Sequence, residues 1–156
     1  MAQLTQQGYR ALKKSEGLKL QAYQDGAGVW TIGYGTTRID GKPVTKGMRI
    51  TEERADALFA KDLEVFTSAI NSAIGSAKTS DYQFDAFVNI TYNIGISAMS
   101  GSTFMRRHKD GDYTGCAQSM LSWNKITVKG VKVVSQGLAN RRKREADMYL
   151  HGVYVL

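Results

Sequence analysis

Between Tyr23 and Gly35 the chain reads YQDGAGVWTIGYG, with four glycines, and this stretch constrains the fold more than any other. A segment so rich in glycine loses too much backbone entropy to sit inside a helix. Within it, Val29-Trp30-Thr31-Ile32 has the β-branched and aromatic character of a short strand. Asp25-Gly26 is a turn signal, and Gly41-Lys42-Pro43 and Lys46-Gly47 mark further turns. A small β subregion is therefore expected over about residues 20–50.

Helical periodicity brackets it. Thr5 is a cap residue for a first helix that carries Leu12 and reaches Ser15 and Glu16, with Gly17 as its stop. From Thr51 onward, Ala55, Leu58, Phe59, Leu63, Phe66 and Ile70 fall on one helical face, and Glu52 and Glu53 suit the positive end of that helix. A connecting helix over about 51–74 follows. Ser80 and Gln83 form a capping-box pattern for the next helix, whose apolar face holds Phe84, Phe87, Val88 and Tyr92 and which closes at Asn93-Ile94-Gly95. Shorter helical stretches are expected at about 102–108 and 113–123. Residues 125–135 (KITVKGVKVVS) alternate apolar and basic around Gly130 and read as a β-hairpin. A last helix begins near Gly137 and runs through Tyr149. The whole is an α+β chain, mainly helical, forming one domain over 1–156 with a small N-terminal sheet lobe and a helical lobe over about 80–156.

The 156 residues suffice to bury a core without disulfides or metal. Cys116 is the only cysteine, read as a buried helical thiol rather than a nucleophile, and two histidines make a His/Cys metal site hard to assemble. The start, MAQLTQQGYRALKKSEG, lacks the apolar core of a signal peptide, and no stretch approaches the ~18 apolar residues of a membrane span. Synthesis in the cytosol is the expectation. A net charge of +7 favours an anionic partner. From Tyr113 to Arg144 there is no acidic residue, so part of the surface is expected to be basic. The run Arg141-Arg142-Lys143-Arg144 is read as a solvated helix face, since no nucleic-acid-binding signature accompanies it.

Glycoside hydrolysis needs a carboxylic acid to protonate the leaving oxygen and an opposing group to support positive charge or direct water. Glu16 at a helix end, Asp25 in a glycine-rich turn and Thr31 on the strand could supply these. By spacing alone, a solvated helix-end Glu and a turn Asp remain the alternative.

The spacing of Glu16, Asp25 and Thr31 resembles the catalytic pattern of the phage-type lysozymes, glycoside hydrolase family 24. EGLKLQAYQDGAGVWTIGYGTT, FDAFVNITYNIG with Ser102-Thr103, Ser122-Trp123 and GLANRRKREADMYLHG resemble further segments of that family, in order and over most of the chain. The resemblance implies a lysozyme-like fold with a cleft between its lobes, and hydrolysis of the β-1,4 bond between N-acetylmuramic acid and N-acetylglucosamine without a cofactor. Glu16 would be the general acid, Asp25 would support the oxocarbenium charge or direct the nucleophile, and Thr31 would hold water. Arg141 resembles a buried arginine that pairs with the catalytic glutamate. Asn93 and Trp123 resemble cleft-lining positions, and Tyr34 is expected to be exposed near them. Thr36 stands where some relatives carry a histidine, which removes one ion pair.

The family further implies a monomeric endolysin that inverts the anomeric centre. Its partner is bacterial peptidoglycan, with no specific nucleic acid. It would be held in the host cytoplasm until a holin-type pore admits it to the periplasm and cell wall. A lytic transglycosylase and a non-catalytic cell-wall-binding module are the competing readings.

Overall fold

The computed structural model describes residues 1–155. These form two compact units, one of residues 12–65 and one of residues 1–11 together with the chain from Phe66 onward. Two helices run through both: α1 (Gln6–Glu16) and α2 (Glu52–Ile74).

The unit of residues 12–65 is built on the glycine-rich segment. Strands β1 (Lys19–Gln24) and β2 (Trp30–Gly33) pair antiparallel, with Tyr23 opposite Thr31 and Gln24 opposite Trp30; a bulge separates this register from the Lys19–Gly33 pair. A second ladder joins β3 (Arg38–Ile39) to β4 (Lys42–Pro43). Its two-residue loop is Asp40-Gly41, both at positive φ, the backbone that a tight hairpin of the right twist demands. Leu12, Ile32, Tyr34, Val44, Ala55, Leu58, Phe59 and Leu63 form the core. Thr51 caps α2 by accepting the Arg54 N–H at 3.1 Å.

The other unit is helical, with α3 (Asp81–Ile94), α4 (Ile96–Ser100), α5 (Thr103–Lys109), α6 (Tyr113–Leu121) and α7 (Gln136–His151). Between α6 and α7 lies the expected hairpin, β5 (Lys125–Val128) and β6 (Val131–Val134), turning through Lys129 and Gly130 at positive φ. The Ser80 capping box is present in full: Ser80 accepts the Gln83 N–H at 3.3 Å and Gln83 accepts the Ser80 N–H at 2.9 Å. Helix α4 was not expected, because five residues between Gly95 and Gly101 are too few to display a helical period.

Helix α3 differs from its sequence reading. Instead of burying one face it buries every residue from Phe84 to Thr91. The polar members are tolerated because they are bonded. Asp85 accepts the Thr5 N–H at 2.9 Å, the Thr5 hydroxyl at 2.5 Å and the Tyr154 hydroxyl at 2.5 Å. Thr5 in turn caps α1, accepting the Gly8 N–H at 3.0 Å. Cys116 is a buried free thiol, and burial pushes it up to about 11, so it is inert as a nucleophile at neutral pH.

Candidate active site

In the unit of residues 12–65, Glu16 is the last residue of α1. Gly17 follows at φ 71° and donates to the Lys13 carbonyl at 2.9 Å, a left-handed stop that fixes where Glu16 leaves the helix. Glu16 is half-buried. Asp25 organises the turn after β1: its Oδ1 accepts the N–H groups of Ala27 and Val29, both at 2.9 Å, while its own N–H donates to the Val29 carbonyl at 2.9 Å. These three bonds hold an exposed carboxylate in one orientation, and Oδ2 takes no part in the turn. Thr31 is 4% exposed, and its hydroxyl donates to the Val29 carbonyl at 2.9 Å. With the hydroxyl proton committed, its lone pairs remain to accept a hydrogen bond from water.

Tyr23 connects these groups, and the sequence reading missed it. It lies opposite Thr31 in the β1–β2 ladder. Its hydroxyl is pushed up first by burial and then by the negative charges of Glu16 and Asp25, which puts one phenol within electrostatic reach of both carboxyls. Cross-strand register was the signal that could have found it, since partners opposite one another share a face.

Tyr34 is a correction. It was expected to be exposed, yet it is 4% exposed and stacked on Phe59 at 5.0 Å, with the Lys13 ammonium 5.0 Å above its ring. The glycines on either side take positive φ, turning the backbone so that the ring enters the core, where its large apolar area is best used. Nearby, Thr36 is buried and donates to Asp62 Oδ2 at 2.8 Å. A hydroxyl-to-carboxyl hydrogen bond thus stands where the resemblance implied that a histidine ion pair is lost. Burial pushes the Asp62 carboxyl up, and the Thr36 hydroxyl and the Lys61 charge oppose that rise.

In the other unit, Arg141 is buried, 8% exposed, as the resemblance implied, whereas Arg142, 0% exposed, overturns the reading of the whole run 141–144 as a solvated face. The cause is Glu145, one turn on and 1% exposed, which faces Arg141 Nε at 3.1 Å and Arg142 Nε at 2.5 Å. Burial pushes the Glu145 carboxyl up, and the two guanidiniums counteract it. Arg141 also donates to the side chain and main-chain oxygens of Asn89, at 3.2 and 3.0 Å. Arg142 donates to Asn93 Oδ1 at 2.8 Å and to the Trp123 carbonyl at 3.2 Å. Asn93 is exposed and Trp123 is 37% exposed, so one buried arginine fixes two outward positions. Lys143 is exposed and pairs with Asp147 at 3.4 Å, as a solvated face would have it.

Residues 13–145 match a family model described as phage lysozyme. The endolysin from Escherichia coli O157:H7 phage FAHEc1 has a solved structure that is 55% identical, with a TM-score of 0.93 over 99% of this chain and 97% of that one. The muramidase domain of SpmX from Asticaccaulis excentricus is 35% identical, with a TM-score of 0.86 over 96% of this chain and 99% of that one. The endolysin of Salmonella phage P22 is 36% identical, over 96% of this chain and 99% of its own length.

Proposed function

This chain belongs to the phage lysozyme family, and from that premise we propose that it is an endolysin that hydrolyses the β-1,4 bond between N-acetylmuramic acid and N-acetylglucosamine in bacterial peptidoglycan. The observation that carries the reading is the constellation around β1 and β2. A glutamate at a fixed helix end, an aspartate locked in a turn and a buried threonine hydroxyl lie in one unit, with Tyr23 opposite that threonine in the β1–β2 ladder.

In the mechanism we assign, Glu16 gives its proton to the glycosidic oxygen as the bond to the muramic C1 breaks. Asp25 supports the positive charge that develops on the sugar ring, or directs the nucleophile. Thr31 accepts a hydrogen bond from the attacking water, orienting its oxygen toward C1, and the proton this water loses passes to the Asp25 carboxylate. Its carbonyl-anchored hydroxyl favours this role, because water then has one defined acceptor. Inversion requires the two carboxyl groups to stand roughly 6.5–9.5 Å apart, leaving room for that water. In the helical unit, Asn93 and Trp123 are assigned to glycan contact, and Arg141 to a supporting role. Tyr34 supports from within the core rather than by touching sugar.

Digestion of purified Gram-negative peptidoglycan by wild type and Glu16→Gln, with products read by mass spectrometry, tests this. Reducing muropeptides ending in N-acetylmuramic acid, from wild type alone, are expected. Anhydro-muropeptides would make the enzyme a lytic transglycosylase, and no products at all would leave a wall-binding module. For the route to the wall we assign passage through a holin-type pore; no helix among the described residues is long and apolar enough to cross a membrane. Expression with and without a holin, followed by culture lysis, tests that step: lysis without the holin refutes it.

A further inference from the structure

Both strands of the β5–β6 hairpin are exposed along their whole length, and their pairing sorts the side chains. Cross-strand partners lie on one face, and neighbours along a strand on opposite faces. Ile126 is opposite Val133, and Val128 opposite Val131. One face is therefore four aliphatic β-branched side chains, exposed by 46, 39, 45 and 61% in that order. On the other face Lys125 is opposite Val134 and Thr127 opposite Lys132, and Lys129 stands at the turn. No acidic residue lies within the hairpin, so its three ammonium groups meet no opposite charge on the element itself.

A contiguous apolar face differs from single exposed side chains and marks a contact surface. Its chemistry selects what it touches. Sugars are held by aromatic stacking and by polar groups, and β-branched aliphatic side chains offer neither; they match hydrocarbon. The lysines set a second condition, an anionic layer beside that hydrocarbon, reached by flexible stems that keep each ammonium in the polar zone. Trp123, 37% exposed and two residues before β5, is close enough to the hairpin for its emission to report on that layer.

We propose that this hairpin docks on an anionic phospholipid bilayer, with Ile126, Val128, Val131 and Val133 toward the acyl chains and Lys125, Lys129 and Lys132 among the phosphates. It is the strand counterpart of an amphipathic helix lying in the headgroup layer. The net charge of +7 brings the protein to such a surface; the apolar face keeps it there. The proposal does not depend on the catalytic reading.

The test is co-sedimentation with vesicles of pure phosphatidylcholine and of phosphatidylcholine with three-tenths phosphatidylglycerol, at 150 mM salt, alongside tryptophan emission. Wild type is expected to bind the anionic vesicles at least tenfold more tightly, with a blue shift in emission. Val131→Ser/Val133→Ser, which keeps every charge, and Lys125→Gln/Lys132→Gln, which keeps the apolar face, are each expected to lose most of that binding. Both sets lie on an exposed hairpin and are expected to leave peptidoglycan digestion unchanged, which verifies folding. Equal binding of wild type to both vesicles overturns the proposal, as does a serine variant that binds like wild type. A serine variant that loses affinity for purified peptidoglycan also overturns it, assigning the hairpin to the wall. So does a wild-type dimer in sedimentation that the serine variant lacks, which assigns the face to a second copy.

Discussion

His108 turns acid into a specific destabilising force on the helical unit. Its ring is 1% exposed, with Nδ1 2.6 Å from the Tyr149 hydroxyl and Nε2 2.8 Å from the Thr79 hydroxyl. The Phe87 ring packs at right angles to it, with the ring centroids 4.9 Å apart. Both nitrogens are bonded to neutral groups, no carboxylate is among these partners, and burial lowers the pKa from 6.5 to about 4. Because the folded value lies below the unfolded one, the neutral ring's contribution is fully present above pH 6.5 and is lost as pH falls through 4. The gap between the two values corresponds to roughly 3 kcal/mol in all, of which about 2 kcal/mol is lost between pH 7 and pH 5. Asp62 and Glu145, both pushed up, act in the opposite sense, so the wild-type slope alone does not isolate the effect. Urea unfolding of wild type and His108→Gln at pH 7 and pH 5 does. Wild type is expected to lose about 2 kcal/mol more than the variant over that interval. Parallel losses in the two proteins would show that the histidine does not titrate into the unfolded state as argued.

Three further outcomes are expected. Glu16→Gln lowers turnover on peptidoglycan by roughly 10²- to 10⁴-fold, the usual worth of a positioned acid, while its thermal midpoint stays near wild type; retained turnover would move the acid elsewhere. Glu145→Gln removes the buried carboxylate that faces both Arg141 and Arg142 and costs about 3–5 kcal/mol in chemical denaturation. Arg142→Met costs less, because Arg141 still faces Glu145 at 3.1 Å; the reverse ranking would contradict the placing of Glu145 between the two. At Gly8 an added Cβ would collide with the Asp85 carboxyl. Gly8→Ala is thus expected to cost about 1–3 kcal/mol by overpacking, and to be partly relieved in a Gly8→Ala/Asp85→Ala double variant measured by the same melts.

Local signals were legible where one residue decides one backbone event. The capping box at Ser80 and Gln83, the Gly17 stop and the Lys129-Gly130 turn all appear where the sequence places them. The candidate acid, carboxylate and hydroxyl could be named because a resemblance supplied the pattern; their order along the chain contains little that a solvated Glu and a turn Asp would not also show. Partners distant in sequence were not legible. Within the basic run the resemblance singled out Arg141, but nothing in the run itself separates buried Arg142 from solvated Lys143; the packing of Arg142 against Glu145 does. Tyr34 failed for a related reason: its burial depends on Phe59, which a reading of the glycine-rich segment by itself does not see.

The bonds on Asp85 set an order in which the chain can be completed. Thr5 and Tyr154 both donate to this one side chain, although nearly the whole sequence separates them. Residues 12–65 form a contiguous unit, whereas residues 1–11 belong with the chain from Phe66 onward. On the ribosome, the contiguous unit has all its residues as soon as residue 65 has cleared the exit tunnel. Residues 1–11 must wait: Asp85 arrives later, and its third donor, on Tyr154, later still. Domains generally fold as units during synthesis, and the helical one cannot gather all the donors of Asp85 until Tyr154 has been made.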